Sequence, residues 1–420
     1  MAGLVGPLAK QTETKIMDLP LSDYRRMAVE EFDSSKLLAH AARQAAERGY
    51  EKFPIIDVDS HHYELESFSE ILEYMDDPVL QQLAMSASQT GQRGNGVLSG
   101  GVGYQDMGGR VTRYALRKIE RTEKDTHRDI TLTKRWMDAM GVDLAVMFPS
   151  PMLQLGLHPQ VEVEVAMARA YNRWLVDRVL SKEPRIRSML YLPFNDPEAS
   201  FRMVQEFGKA KGVVGFMITS ARFRPVQHNA YMKTYALLEE MNLPVAFHAG
   251  YNWNEQSMAT MNKFISVHAI GFVFYNMVHL TNWIMNGLPE RFPKLKTLWI
   301  ESGLAWVPFM MQRLDNEYMM RSSEAPALKK LPSDYMRDMF FSSQPMEITD
   351  PQALEVTFRM IKAETQLLYS SDYPHWDFDL PSTIYDLPFL SEQAKRNILG
   401  GNAKRVFNIE LPAEKLARVA

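Results

Sequence analysis

From Phe53 onward the chain repeats one pattern: a short, nearly unbroken apolar run, then a longer stretch with apolar residues three or four apart. The runs are FPIIDVD (53–59), VDLAVMF (142–148), IRSMLYLPF (186–194), GVVGFMI (212–218), LPVAFHA (243–249), LKTLWIE (295–301), MRDMFFS (336–342) and TQLLYSS (365–371). Unbroken runs of this length read as strands buried on both faces, the environment of a parallel sheet. Between them, segments such as VEVAMARAYNRWLVDRVL (163–180), ASFRMVQEFGKA (199–210) and GLAWVPFMMQRLDNEYMM (303–320) carry helical spacing. Eight strands alternating with helices predict an α/β fold, a closed (β/α)8 TIM barrel. An open doubly wound sheet would announce itself by a glycine-rich phosphate turn after the first strand, and none stands there.

Two segments fall outside this rhythm. Residues 1–50 predict an N-terminal helical arm: Ser22 or Asp23 caps a helix bearing Tyr24, Met27, Val29 and Phe32. A second helical stretch then runs through Leu37, Leu38, Ala41 and Ala45. Residues 91–109, GQRGNGVLSGGVGYQDMGG, hold eight of the 22 glycines without a nucleotide-binding motif, and predict a mobile insertion placed where barrels carry lids. The expected organisation is therefore an arm over 1–50 and a barrel over 51–420, interrupted by that insertion.

Composition narrows the chemistry. A formal net charge of −4 gives no electrostatic reason to expect nucleic acid or an anionic membrane as a partner. No unbroken apolar stretch approaches the ~20 residues of a membrane span, and MAGLVGPLAKQTETK lacks the apolar core of a secretory signal, which points to the cytoplasm. With no cysteine, disulfides, thiolate ligands and a cysteine nucleophile are excluded. A metal would have to be held by imidazole and carboxylate, a set suited to Zn, Mn or Fe. The 28 methionines are scattered and read as core filler. No Gly-x-Ser-x-Gly elbow is present, which disfavours covalent catalysis.

The polar residues on the apolar runs carry the functional signal. Asp57, Asp59 and His61 lie two apart at the end of the first strand, so period-two alternation turns all three toward the barrel axis; His62 faces the other way and reads as structural. His248 ends the fifth run, Glu301 the sixth, and Asp372 follows the eighth. Barrel enzymes draw their reactive groups from the carboxyl ends of several strands, and four such coincident exits predict a metal site. His375 and Asp377 follow Asp372 and can orient a water or fix a ligand from behind. Arg222 and Arg224, after the fourth run, stand on the same rim as a candidate clamp for a substrate carboxylate. Glu64 reads as a solvated carboxylate at a helix start, and His279 as structural.

The combination resembles the amidohydrolase-related branch of the amidohydrolase superfamily. DVDSHHYE (57–64) is similar to its opening strand, PVAFHAG (244–250) to its fifth, and YSSDYPHWD (369–377) to its eighth; GLPERFPKLKTLWIESGLAWVPFMMQRLD (287–315) looks like its sixth-strand block. The resemblance implies a metal-dependent barrel with Asp59, His61, His248 and Asp372 as ligands. Many members carry a histidine at the sixth strand end; here Glu301 takes that place. His268, which in similar sequences accompanies such a glutamate, joins Glu301 as a further candidate ligand. Three imidazoles and three carboxylates make a set rich enough for two divalent ions, Mn or Fe as readily as Zn.

The leading expectation is a metal-dependent hydrolase or lyase (a decarboxylase) acting on a small carboxylated or aromatic substrate through metal-activated water. Asp372 would be ligand and proton shuttle, Glu301 a second ligand or general base, and His375 their catalytic neighbour. A dinuclear Fe or Mn monooxygenase on the same fold is the alternative, and a non-catalytic subunit supporting an active paralogue a second one. A homo-oligomer, or a hetero-oligomer with such a paralogue, is the expected assembly.

Overall fold

The computed structural model describes residues 34–89, 126–222 and 224–410. The arm before residue 34 and the glycine-rich 91–109 insertion lie outside the described residues. Each predicted run overlaps a strand: β1 Ile56–His62, β2 Leu144–Pro149, β3 Ile186–Tyr191, β4 Val213–Thr219, β5 Val245–His248, β6 Thr297–Ile300, β7 Phe340–Ser342 and β8 Leu367–Leu368. They pair in sequence order, every neighbour parallel. Nearly every strand residue is buried, as continuous apolar runs demand. The barrel closes between β8 and β1 through backbone bonds from Val58 N to Tyr369 O (3.0 Å), Asp372 N to Asp59 O (2.7 Å) and His61 N to Tyr373 O (2.8 Å).

Among the described residues, the α-helices of eight or more residues are α1 Ser34–Glu47, α2 Pro78–Gln89, α3 Arg128–Met140, α4 Val161–Leu175, α5 Pro197–Phe207, α6 Met232–Glu240, α7 Phe264–Met285, α8 Trp306–Arg321 and α9 Pro351–Ile361. Two of them start on the same device. Asp196 and Asp350 cap α5 and α9, each accepting two backbone N–H bonds, and each is followed by a proline at the first helical position, where no donor is missed. α1, the described end of the predicted arm, buries Leu37, Leu38 and Ala41 in the main core. α7 is uncharged along its length, and by length and hydropathy alone it would span a membrane. Here it is the helix between β5 and β6, and Val267, Phe272, Leu280 and Trp283 on its inner face are buried.

Candidate metal centre

The reactive residues stand where the strands end. Asp59 and His61 lie on β1, His248 is the last residue of β5, Glu301 follows β6 directly, and Asp372 lies four residues past β8. All five are buried. Asp59, His61, His248 and Glu301 bring one ligand atom each within 4.8 Å of one another; His61, Asp372 and His375 form a second such group sharing His61. The sequence expectation that strand-end polar residues converge is met by the geometry.

The imidazoles are aimed by their outer nitrogens. Nδ1 of His61 lies 3.1 Å from Pro149 O, and Nδ1 of His248 lies 2.9 Å from Ala249 O. A carbonyl accepts only from N–H, so both rings carry their proton on Nδ1 and direct the Nε2 lone pair inward, the tautomer a metal ligand needs. His61 Nε2 is 3.3 Å from Asp59 Oδ1 and 3.4 Å from Asp372 Oδ1, and His248 Nε2 is 3.3 Å from Asp59 Oδ1. Two lone pairs facing carboxylate oxygens across 3.3–3.4 Å repel unless a cation lies among them. Asp59 Oδ2, Asp372 Oδ2 and His61 Nε2 have no hydrogen-bond partner among the described residues.

Electrostatics agrees. Burial resists ionisation of Asp59, and its carboxyl is held below the usual range only with positive charge at His248 and His61, the place a bound cation would take. Asp372 goes the other way, raised well above by burial and then by the neighbouring Glu301, Asp377, Asp59 and Asp57 carboxylates. Asp57 is pushed up to about 8 by burial, against bonds from Ser371 and from the Asp59 N–H. So many carboxyls in a dry interior cannot all be anions without cations to match. The donor set, hard oxygens with imidazole nitrogens, fits a divalent transition metal.

Asp57 serves the barrel seam, and the β1 register shifts between it and Ser60, so strict period-two alternation does not run through to His61. Its Oδ1 accepts from Ser371 N (2.9 Å) and Asp59 N (3.1 Å), and its Oδ2 from the Ser371 hydroxyl. The backbone also carries strain at this centre. Glu301 (φ 57°) and Asp372 (φ 58°) are left-handed, an uncommon state for non-glycine residues that costs about 1–3 kcal/mol each. Gly303, two residues past Glu301, has φ 70°, and a Cβ there would meet Glu347 Oε1 at 2.3 Å. This turn folds back sharply to present Glu301.

Other predicted residues stand apart. His268 is outside both ligand groups; its Nε2 lies 3.8 Å from Asp377 Oδ2, and its ring packs on Phe272 and Trp376. Asp377 in turn accepts from Gln344 Nε2 at 3.1 Å. The paired arginine clamp does not form. Arg222 is buried and committed to the protein, its Nε donating to Thr219 O (2.6 Å), its Nη2 to Thr219 Oγ1 (2.9 Å) and lying 3.7 Å from Glu164 Oε1; Arg224 is exposed. His62 bridges Asp129 and Tyr171, and His279 faces Ser220 O at 2.8 Å, both embedded in the frame. Glu64 is a correction: it is fully buried, not solvated, and accepts from Met152 N (2.6 Å) and Ser150 N (3.0 Å). Sequence reasoning missed Ser150 altogether. Its Oγ lies 3.1 Å from His375 Nε2, while His375 Nδ1 lies 2.7 Å from Asp372 Oδ1. A serine directly after β2 has no sequence feature that separates it from a loop residue.

The amidohydrolase family model matches residues 126–409. Gamma-resorcylate decarboxylase of Polaromonas sp. strain JS666 is 22% identical over 257 residues, covering 58% of this chain and 76% of that protein. In fold, the chain is similar to 5-carboxyvanillate decarboxylase from Sphingomonas paucimobilis (TM-score 0.61, 18% identity, 85% of this chain and 100% of that one). It is likewise similar to 5-carboxyvanillate decarboxylase from Novosphingobium aromaticivorans, complexed with manganese and a nitrobenzoic acid (TM-score 0.62, 20% identity, 86% and 97%).

Proposed function

Because the chain belongs to the amidohydrolase family, we propose that it is a metal-dependent decarboxylase of a small aromatic carboxylate. The observation that carries the reading is a buried carboxyl, Asp372, on the same imidazole-lined centre as the proposed ligands and hydrogen-bonded through His375. Decarboxylation of an aromatic acid exchanges a carboxyl group for a proton, so it needs an acid held dry beside the ring. The similarity to decarboxylases of such acids points the same way.

Asp59, His61, His248 and Asp372 would hold the ion, with Glu301 beside His248 (3.5 Å from its Nδ1) as a further ligand. When bound, a divalent ion there supplies a positive centre that draws charge from substrate oxygen. Asp372 holds the proton and delivers it to the ring carbon bearing the carboxylate. The C–C bond to the carboxylate then breaks, its electron pair stays with the ring, and carbon dioxide leaves. His375 stays hydrogen-bonded to Asp372 as that carboxyl changes state. The buried walls exclude water that would otherwise compete as a proton source.

The test is direct. Protein stripped of metal and reloaded with manganese is incubated with a panel of hydroxylated benzoates, and carbon dioxide and the decarboxylated phenol are quantified. Metal-dependent release of both in equal amounts is expected. Hydrolysis of esters or amides with no carbon dioxide from any acid would overturn the reading.

A further inference from the structure

The side chains around His375 define a task for Ser150. His375 is buried, with Nδ1 facing two carboxylates: Asp372 Oδ1 at 2.7 Å and Glu301 Oε1 at 3.8 Å. A nitrogen between two carboxylates is the one that carries hydrogen. On the far side of the ring, Ser150 Oγ lies 3.1 Å from Nε2. A neutral imidazole protonated at Nδ1 accepts at Nε2, and a hydroxyl is a group that can donate there.

We propose that Ser150 is a positioning residue: its hydroxyl donates to His375 Nε2, so that the ring's single N–H points at Asp372. The hydroxyl is itself held in place. Ser150 N donates to His62 O (3.1 Å) and to Glu64 Oε2, while Glu64 Oε1 takes the Met152 N–H at 2.6 Å. Glu64 thereby ties the turn after β2 to the segment after β1. The buried carboxylate that sequence reasoning placed in solvent is the anchor of this turn. A fixed Nδ1–H donor supports Asp372 as carboxylate after it has given up its proton. With the opposite tautomer, once Asp372 has given up its proton, two lone pairs would face each other across 2.7 Å.

The inference rests on Asp372 acting as the proposed acid, and its test separates the two ideas. Selective 15N-histidine labelling of zinc-loaded protein reads the tautomer of each ring, with His375→Gln used only to assign the signal. In the parent, His375 is expected as a pure Nδ1–H tautomer. In Ser150→Ala it becomes a mixture, and Ser150→Thr restores it. Metal content stays at the parent level in both, since Ser150 touches no proposed ligand directly. In the decarboxylation assay, kcat of Ser150→Ala falls by about tenfold to a hundredfold, the usual range for a group that orients a metal site from behind. KM stays within about twofold, and Ser150→Thr recovers most of the rate. An unchanged tautomer in Ser150→Ala, or a lost metal ion, overturns the role of Ser150. A tautomer that shifts in a protein releasing no carbon dioxide from any acid keeps Ser150 as the orienting group and overturns the decarboxylase reading instead.

Discussion

Replacing Arg222 by methionine separates a structural arginine from a substrate clamp. Its guanidinium lies 3.7 Å from Glu164, and both side chains are wholly buried. Methionine keeps most of the volume but removes the charge, leaving Glu164 with the Tyr191 hydroxyl (3.0 Å) and the Asn195 N–H (3.3 Å). Breaking a buried pair from one side costs about 3–5 kcal/mol. The two remaining donors place the expected loss at the lower end, about 3 kcal/mol. Glu164 is already raised, by burial first, against the pull of Arg222; without Arg222 it rises further. A carboxyl whose folded pKa exceeds its unfolded value of about 4.5 favours folding at low pH and loses that contribution as pH climbs through the folded value. The deficit of Arg222→Met relative to the parent is therefore smallest near pH 4 and grows as pH rises. Urea unfolding at several pH values measures it, and Glu164→Gln added to Arg222→Met is expected to recover much of the loss. A variant as stable as the parent at pH 8, with KM raised manyfold, would refute this account and return Arg222 to the substrate.

Three other outcomes are expected. His248→Ala and Asp372→Ala each lose most bound metal by elemental analysis; Asp372→Gly loses it too, yet its metal-free form resists urea better than metal-free Asp372→Ala, by about 1 kcal/mol, because glycine accepts the left-handed backbone at φ 58°. Manganese loading gives one ion per chain, held more weakly in Glu301→Gln; a second ion that is lost on that substitution would make Glu301 a ligand of a dinuclear site instead. Turnover under strict anaerobiosis equals that in air, and an oxygen requirement would favour the monooxygenase alternative.

Strand positions were legible because a strand packed on both faces leaves an unbroken apolar run. The convergence of side chains was legible for the same reason: Asp59 and His248 interrupt runs that are otherwise apolar, and His61 follows the first of them closely. Boundaries were less so. Residues 336–339 read as the start of the seventh strand, but Met336 ends a short helix, Pro332–Met336, and only Phe340–Ser342 pair. A buried methionine is apolar in either element, so pattern does not separate them. Glu64, Ser150 and Arg222 were misread or missed for a different cause. The Glu64 bonds to Ser150 N and Met152 N, the Ser150 contact with His375 and the Arg222 pairing with Glu164 all join residues far apart in sequence, which pattern does not show until the barrel closes.

That closure has a consequence for how the molecule is made. The seam joining β8 to β1 runs through the metal centre, and Ser371 meets Asp57 across 314 positions of chain. At about 5–20 residues per second of synthesis, the first strand leaves the ribosome about 15–60 s before its partner exists. Throughout that interval Asp57, Asp59 and His61 lack the β8 side of the seam, and the full ligand set does not exist. The complete ligand set is thus assembled only once the eighth strand has been made. Any premature stop before Asp372 would yield a chain carrying most of the strands but not the complete centre, so metal content reports on whether synthesis ran through the eighth strand.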